Sequence, residues 1–394
     1  MANEVVFYTS DDVGAPTLNN AAGSLNAVLY ACLVTGFRVQ TATSVTVAGG
    51  VATLTLAGHG YAVDKMVELS GATPAGLNGR KVPLTLTSGT LTFDATGVAD
   101  GTATGTITVK RPGLGWTRPA NTSNVAIFAR SDVTATAQVL RVDDTGAGVA
   151  AATYARATML ETWSDVNTFT GQAPTPAQLS GGQYWAKGAN STTAKPWILV
   201  GDSKMFYLFT ESQTYSFATY GGLAGHGFGD PVFYRANDPY GALLGGPSDS
   251  STATTAGFFV TQSAGVAPAS AGQGVVSRHS SQAGQANHFQ AVTAGAAGIL
   301  GTSSGPVYPS RVDNGAVLSG PAYWCELDTG FNNSIRGELP GMLAPLCSDF
   351  GRLNHGAVLS GVLGAPGKVL VIALLRPADV RPGAVAFNIP GAWR

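Results

Sequence analysis

Apolar residues fall mostly in short runs of strand length, one of them clearly alternating with polar residues, and one stretch shows the period of a helix convincingly. Val5 to Thr9 is a short apolar strand, followed by a loop over Asp11 to Pro16. Leu25, Val28, Leu29, Cys32 and Leu33 then fall at i, i+3, i+4, i+7 and i+8, a single apolar stripe that predicts a helix packed on a sheet. Ser24 is placed to cap its start and Gly36 to end it.

From Val45 to Val109 the texture becomes that of a small β-unit. Val45 to Ala48 and Val51 to Leu56 flank Gly49-Gly50 as a hairpin, and Ala52, Leu54 and Leu56 alternate with Thr53 and Thr55. Further strands are predicted over Lys65 to Leu69, Val82 to Thr87, Thr90 to Asp94 and Thr104 to Lys110. Short strands at regular spacing suggest a small sandwich or barrel. Removing the block leaves Gly36-Phe37-Arg38 running on to Pro112, Trp116 and Pro119 without loss of an element. The domain organisation expected is therefore a main body of 1–40 plus 111–394, with 41–110 inserted as a projecting knob.

The body continues as β. Strands are predicted over Asn124 to Ala129, Ala137 to Val142 and Tyr154 to Ser164, with a short helix over Ala173 to Ser180 starting near Pro174. Trp197 to Val200, a turn at Gly201-Asp202 and Met205 to Phe209 form the strongest hairpin, rich enough in β-branched and aromatic residues for a buried sheet centre. Gly241 to Gly246 follows, and Ser248 to Gly257 is a Ser/Thr/Ala-rich loop. Ala267 to Gly301 has weak periodicity, Lys368 to Leu375 is an apolar strand, and Ala384 to Ile389 is the last strand before Trp393. The fold class expected is mainly β, a β-rich body with one short N-terminal helix and a small inserted sandwich or barrel-like domain.

Composition sharpens this picture. Of 394 residues, 11% are charged, against about 25% in an average soluble domain. A surface of Thr, Ser, Gly and Ala repels neighbours less than a charged one, which suits a chain that buries much of its surface in an assembly. A secreted or thermally robust β-protein shares that composition. The balance of 22 basic and 23 acidic residues, with no basic run, argues against nucleic acid as a partner. Met1 to Tyr8 has no basic, apolar leader pattern, so no secretory signal is expected there, and no apolar run of about 20 residues predicts a membrane span.

The search for chemistry yields weak candidates. The five histidines, His59, His226, His279, His288 and His355, sit among Gly, Ser or Asn in predicted loops, without metal-ligand spacing or a nucleophile elbow nearby. Asp143-Asp144 ends a strand and reads as turn chemistry sooner than as a calcium loop. Glu161 with Asp165 is a carboxylate pair of the kind glycoside hydrolysis needs, at a frequency that 23 acids produce by chance. Gly225 to Asp230 is glycine-rich without a strand–turn–helix context. Phe233, Tyr234 and Tyr240 can stack on a sugar or a partner, or belong to the core, and Arg336 to Gly341 reads as a rigid exposed turn. Cys32 fits the core; Cys325 and Cys347 can pair, though nothing demands it, and no C-x-x-C spacing suggests zinc. No catalytic, cofactor-binding or metal residue is assigned, and no cofactor is expected.

Several stretches together resemble virion structural proteins of tailed bacteriophages and prophages: Gly23 to Gly36, Gly115 to Pro119, Leu140 to Gly146, Pro196 to Phe209, Phe228 to Asp230, Arg336 to Gly341 and Phe387 to Arg394. The inserted block, with Ala57 to Tyr61 and Ser70 to Pro74, looks like a small β-domain that recurs in phage proteins. The resemblance covers most of the chain and brings no catalytic residues. It implies a non-enzymatic virion component, assembled in the host cytoplasm and partnered by copies of itself and by other virion proteins. A tail position (baseplate, tip, nozzle or fibre attachment) is the leading expectation, and a head decoration or minor capsid protein is the close alternative. The rival from another class is an adsorption protein that binds or cleaves host-surface glycan, supported by Trp163, Trp185, Trp197 and Trp324 and by the acid pairs. That rival requires an exposed aromatic platform or two carboxylates facing each other across a groove.

Overall fold

A computed structural model describes residues 4–146, 154–187, 192–211, 223–236, 238–247, 260–262, 265–267, 274–281, 287–293, 318–326, 334–345, 356–365, 367–374, 383–389 and 391–394. The predicted Ser248 to Gly257 loop and most of Ala267 to Gly301 lie outside these residues. The fold is mainly β, and its body stacks three layers of antiparallel sheet.

The central layer is a ten-stranded sheet. Its order is Val6–Thr9, Trp197–Gly201, Met205–Glu211, Leu223–Gly229, Leu243–Gly245, Gly274–Val276, Asn287–Thr293, Ala322–Glu326, Ser334–Leu339 and Val232–Phe233. The last of these follows Leu223–Gly229 in the chain through Asp230 and Pro231 alone, so the sheet must curl back on itself. The predicted hairpin pairs Ile198 with Phe209 and Val200 with Tyr207, and every residue of both its strands is buried.

Burial on both sides follows from strand alternation. Phe206 and Leu208 face one neighbour, a five-stranded sheet of Trp116–Asn121, Val125–Arg130, Val139–Asp143, Tyr154–Leu160 and Gln183–Ala186. There they meet Phe128, Leu140, Met159 and Trp185. Tyr207 and Phe209 face the other, a sheet of Leu318–Ser319, Met342–Pro345, Gly383–Ile389, Lys368–Leu374 and Val358–Leu359, where Leu370, Ile372, Val385 and Phe387 meet them. Each such large side chain contributes about 1.5–3 kcal/mol on full burial, so the central sheet holds the body together.

The helix is where the apolar stripe places it, with Leu25, Val28, Leu29, Cys32 and Leu33 all in the first of these cores. It runs as an α-helix over Ser24–Leu29 and continues as a π-helical turn over Tyr30–Thr35, ending at Gly36 with φ 71°. Its cap differs from the expected one. Gly23 takes the N-cap position, and the Ser24 hydroxyl donates instead to the Asn19 carbonyl at 2.6 Å. The first helical N–H groups of Leu25 and Asn26 donate to the Asp144 carboxylate at 2.8 and 3.3 Å. A carboxylate distant in sequence does what a local serine was expected to do.

Three further expectations are corrected. Ala173 to Ser180 contains no helix: one turn forms, with the Gln178 and Leu179 N–H groups donating to the Thr175 carbonyl, before Gly181 and Gly182 at φ 82° and 94° redirect the chain. The predicted strand Tyr154 to Ser164 breaks at Glu161, after which Thr162–Trp163 pairs with Phe169–Thr170 in a separate hairpin. Arg336 to Gly341 is not an exposed turn. Its first four residues belong to the strand Ser334–Leu339, because the Arg336 guanidinium is buried in ion pairs.

Residues 37–111 form two sheets. Phe37–Thr41, Thr108–Arg111, Val67–Ser70 and Gly79–Lys81 make one; Thr85–Leu86, Thr90–Asp94, Val51–Thr55, Ser44–Ala48 and Gly101–Thr102 make the other. They enclose a core that includes Val45, Val47, Leu54, Leu69, Leu91, Phe93 and Val109, and among the described residues its buried members all fall within 45–109. The chain enters and leaves through neighbouring strands, with Thr41 opposite Thr108 and Phe37 opposite Arg111. The block meets the body through Phe37 and Met66, which join the body's first core, and through charge. Lys65 Nζ lies 2.5 Å from Asp12 Oδ1 and 4.5 Å from the centre of the Phe7 ring, and the Arg111 guanidinium donates to the carbonyls of Phe7 and Met66.

Candidate functional site

Among the described residues the histidines do not form a site. His59 holds a turn: its Nδ1 accepts the Tyr61 N–H at 3.0 Å, which leaves Nε2–H to donate to the Thr87 carbonyl at 2.8 Å. His226 is not in a loop but within the strand Leu223–Gly229, fully buried and stacked on Trp185 at 5.3 Å between ring centres. Its Nε2 accepts the Ala186 N–H at 3.0 Å, and burial lowers its pKa to about 3, so it stays neutral. His279 accepts the Ser281 N–H in a local turn. His288 contributes backbone to the strand Asn287–Thr293, its side chain lying outside the described residues, as does all of His355.

The acidic candidates are likewise engaged separately. Asp143 makes the expected turn, accepting the Thr145 N–H at 3.2 Å and hydroxyl at 2.7 Å. Glu161 forms a forked pair with Arg278, at 2.8 and 2.6 Å. Asp165 accepts the Asn167 and Thr168 N–H groups, which hold its carboxyl below the ordinary range. Glu161 and Asp165 are therefore not a pair poised across a groove. The glycine-rich run before Asp230 is a strand, where Gly229 admits the Lys204 backbone so closely that no Cβ fits. Asp230 itself accepts from Arg130 Nη1 at 2.6 Å and from the Thr136 N–H at 2.8 Å.

Three of the four tryptophans considered for glycan binding, Trp185, Trp197 and Trp324, are 0% exposed in the core. Trp163 packs beside Val166 and Phe169. They provide no stacking platform, so the glycan reading loses the aromatic residues on which it rested. Tyr240 lies under the Arg278 guanidinium at 4.1 Å, Phe233 packs on the second core, and exposed Tyr234 donates its hydroxyl to Glu338 at 2.8 Å. Among the described residues no three His, Cys, Asp or Glu side chains converge as a metal site, and no helix is long and apolar enough to cross a membrane. Cys32 is buried, which pushes its thiol pKa well up; Cys325 is buried in the strand Ala322–Glu326, and Cys347 lies outside the described residues.

What the charged residues do instead is join elements. Asp144 and Lys187, both 0% exposed, pair at 2.6 Å and connect the helix start to two strands of the outer sheet. Arg336 grips Asp238 with two hydrogen bonds of 2.7 and 2.9 Å and lies 3.7 Å from Glu326. Arg394 reaches Asp202 at 3.1 Å and donates to the Asp230 carbonyl at 2.7 Å. Asp12, Lys65 and Arg111 border a niche of about 10 Å³ beside Gly60 and Tyr61, room for about one water molecule.

One outward face is free of charge along its central rows, that of the five-stranded sheet of the 37–111 block. Val45, Val47, Leu54, Leu91 and Phe93 point inward, so their alternate neighbours point out. The strand registers set Thr102, Thr46, Thr53, Thr92 and Thr85 opposite one another in a row across all five strands. Ser44, Thr55, Thr90 and Thr87 make a second row. Neighbouring hydroxyls bond along the rows, Thr85 with Thr92 at 2.7 Å and Thr87 with Thr90 at 2.8 Å. Sequence alternation marks Thr53 and Thr55 as solvent-facing; the rows appear only once strand order and register are known. No family model matches the chain, and no curated protein does.

Proposed function

We propose that the chain is a non-enzymatic structural subunit of a tailed-bacteriophage virion, tail-associated, acting through repeated contacts with copies of itself and with other virion proteins. One observation carries this reading: in a chain with only 11% charged residues, buried ion pairs join its elements, and one whole sheet face of the 37–111 block presents rows of neutral hydroxyls. A stiff body with few charged residues can lie against neighbours without bringing many like charges together or stripping water from many ions. In this reading the 41–110 block is an inserted unit that projects from the body and makes a second contact.

The test is to separate heads from tails of purified particles and probe each fraction with an antibody to the chain. Signal confined to tails supports the proposal. Signal confined to heads moves the chain to the capsid lattice as a decoration protein, and absence from particles overturns the virion reading altogether.

A further inference from the structure

The two sheets of the 37–111 block differ in their outward chemistry. On the four-stranded sheet Lys110 pairs with Glu68 at 3.2 Å, and Arg80 lies opposite Glu68 on the next strand. The five-stranded sheet has only hydroxyls in its two central rows. Its carboxylates, Asp94 and Asp100, gather at one end beside the Gly49-Gly50 turn, where Asp94 lies opposite Val51 and Asp100 accepts the Gly49 N–H at 2.9 Å.

We infer that this hydroxyl face is a homotypic contact, meeting the same face of a second copy about a two-fold axis. The inference deepens the assembly reading and rests on it for the several copies held close together. Self-complementarity is the first argument. A hydroxyl both donates and accepts, so a face made of hydroxyls can bond to itself, whereas a face of ammonium or carboxylate groups cannot. Charge placement is the second. An axis through the Thr46–Thr53 row sets the acidic ends of the two copies at opposite edges, away from each other. The third is the state of the sheet edges. The outermost strands, Thr85–Leu86 and Gly101–Thr102, are two residues each, too short to template pairing with another chain. Contact through this sheet therefore falls to its face.

Size sets the strength. Five strands spaced about 4.8 Å apart, with about four residues of face each, offer roughly 300 Å² per copy. A pair buries roughly 600 Å², below the 1,200–2,000 Å² of a stable complex. The contact is weak between isolated chains and becomes effective when an assembly raises its local concentration.

Sedimentation velocity of the purified full chain, from micromolar to about 1 mM, tests this. The weight-average sedimentation coefficient is expected to rise toward the dimer at the upper end. Thr46→Lys and, separately, Thr92→Lys place ammonium groups against each other across the axis and are expected to weaken association at least tenfold. Thr108→Lys, on the four-stranded sheet, should leave it unchanged. Thr53→Cys adds a readout independent of affinity: a residue near the axis should form a disulfide-linked dimer under mild oxidant beyond any the unmodified chain gives. A chain that stays monomeric at 1 mM overturns the inference, as does association indifferent to both lysines in variants whose circular dichroism matches the parent. The result is separable from the location of the chain in particles, since a tail-located protein with an inert hydroxyl face fails here alone.

Discussion

Replacing Lys187 by Met should destabilise the body by about 3–5 kcal/mol, the usual loss when one member of a buried ion pair is removed. Asp144 and Lys187 are both without solvent exposure. The ammonium has three acceptors, Asp144 at 2.6 Å, the Ala21 carbonyl at 3.0 Å and the Gly146 carbonyl at 3.4 Å. Methionine fills similar space, so the loss is electrostatic, leaving a carboxylate held by two backbone N–H groups. Burial raises the Asp144 pKa above the ordinary carboxylate value, with Lys187 acting to lower it. For an acid whose folded pKa exceeds its unfolded one, the folded state binds the proton more readily. Stability then falls as pH rises from the unfolded value through the folded one. Without Lys187 the folded pKa rises further, so the deficit of the variant should be largest at neutral pH and shrink on acidification toward the unfolded pKa. Asp144→Asn in the Lys187→Met background should recover part of the loss, as coupling between contacting residues requires. Urea unfolding followed by tryptophan fluorescence reads the body selectively, because all six tryptophans lie outside 41–110. A loss below about 1 kcal/mol at neutral pH, or one that does not diminish in acid, refutes the reasoning.

Two further outcomes test the architecture. Excising 42–107 and joining Thr41 to Thr108 through an Asn-Gly turn should leave a body that unfolds cooperatively at a lower temperature, because those residues already face each other across paired strands; an insoluble or non-cooperative product contradicts the insertion. Gly36→Ala should destabilise by well over 1 kcal/mol, since φ is +71° and a Cβ would strike the Arg111 carbonyl. Gly89→Ala, with open space around it, should stay within about 0.5 kcal/mol of the parent on the same denaturation curve.

The parts of the fold legible in sequence are those in which a local period decides the outcome. The stripe from Leu25 to Leu33 and the hairpin from Trp197 to Phe209 bury what their periodicity says they bury. The failures share a cause in partners far away along the chain. Ser24 looks like a cap, but Asp144 takes the helix N–H groups from more than a hundred residues on. Arg336-Gly337-Glu338 looks like exposed turn chemistry because its charges suggest solvent, yet Asp238 neutralises Arg336 in the interior. His226 sits between glycines that suggest a loop. Those glycines instead let strands approach, as where a Cβ on Gly227 would crowd the Phe206 carbonyl. For the candidate site, alternation gives the outward threonines, and only register assembles them into rows.

These long-range pairs also explain why so charge-poor a chain buries charge at all. Replacing a buried pair by apolar side chains of matching volume is often neutral or stabilising, so stability alone does not account for Asp144–Lys187 or Arg336–Asp238. What an ion pair adds over an apolar contact is direction, because the forked grip of Arg336 on Asp238 is satisfied in one arrangement and lost in its neighbours. In a stack of sheets with much Gly, Ala and Thr, apolar packing tolerates small slips between layers. Pairs placed at the helix start, between a strand and the connection that carries Asp238, and between the body and the 41–110 block oppose such slips. In the assembly role proposed above, a subunit presents the same shape in every copy, and this fixity serves that role more than added stability would.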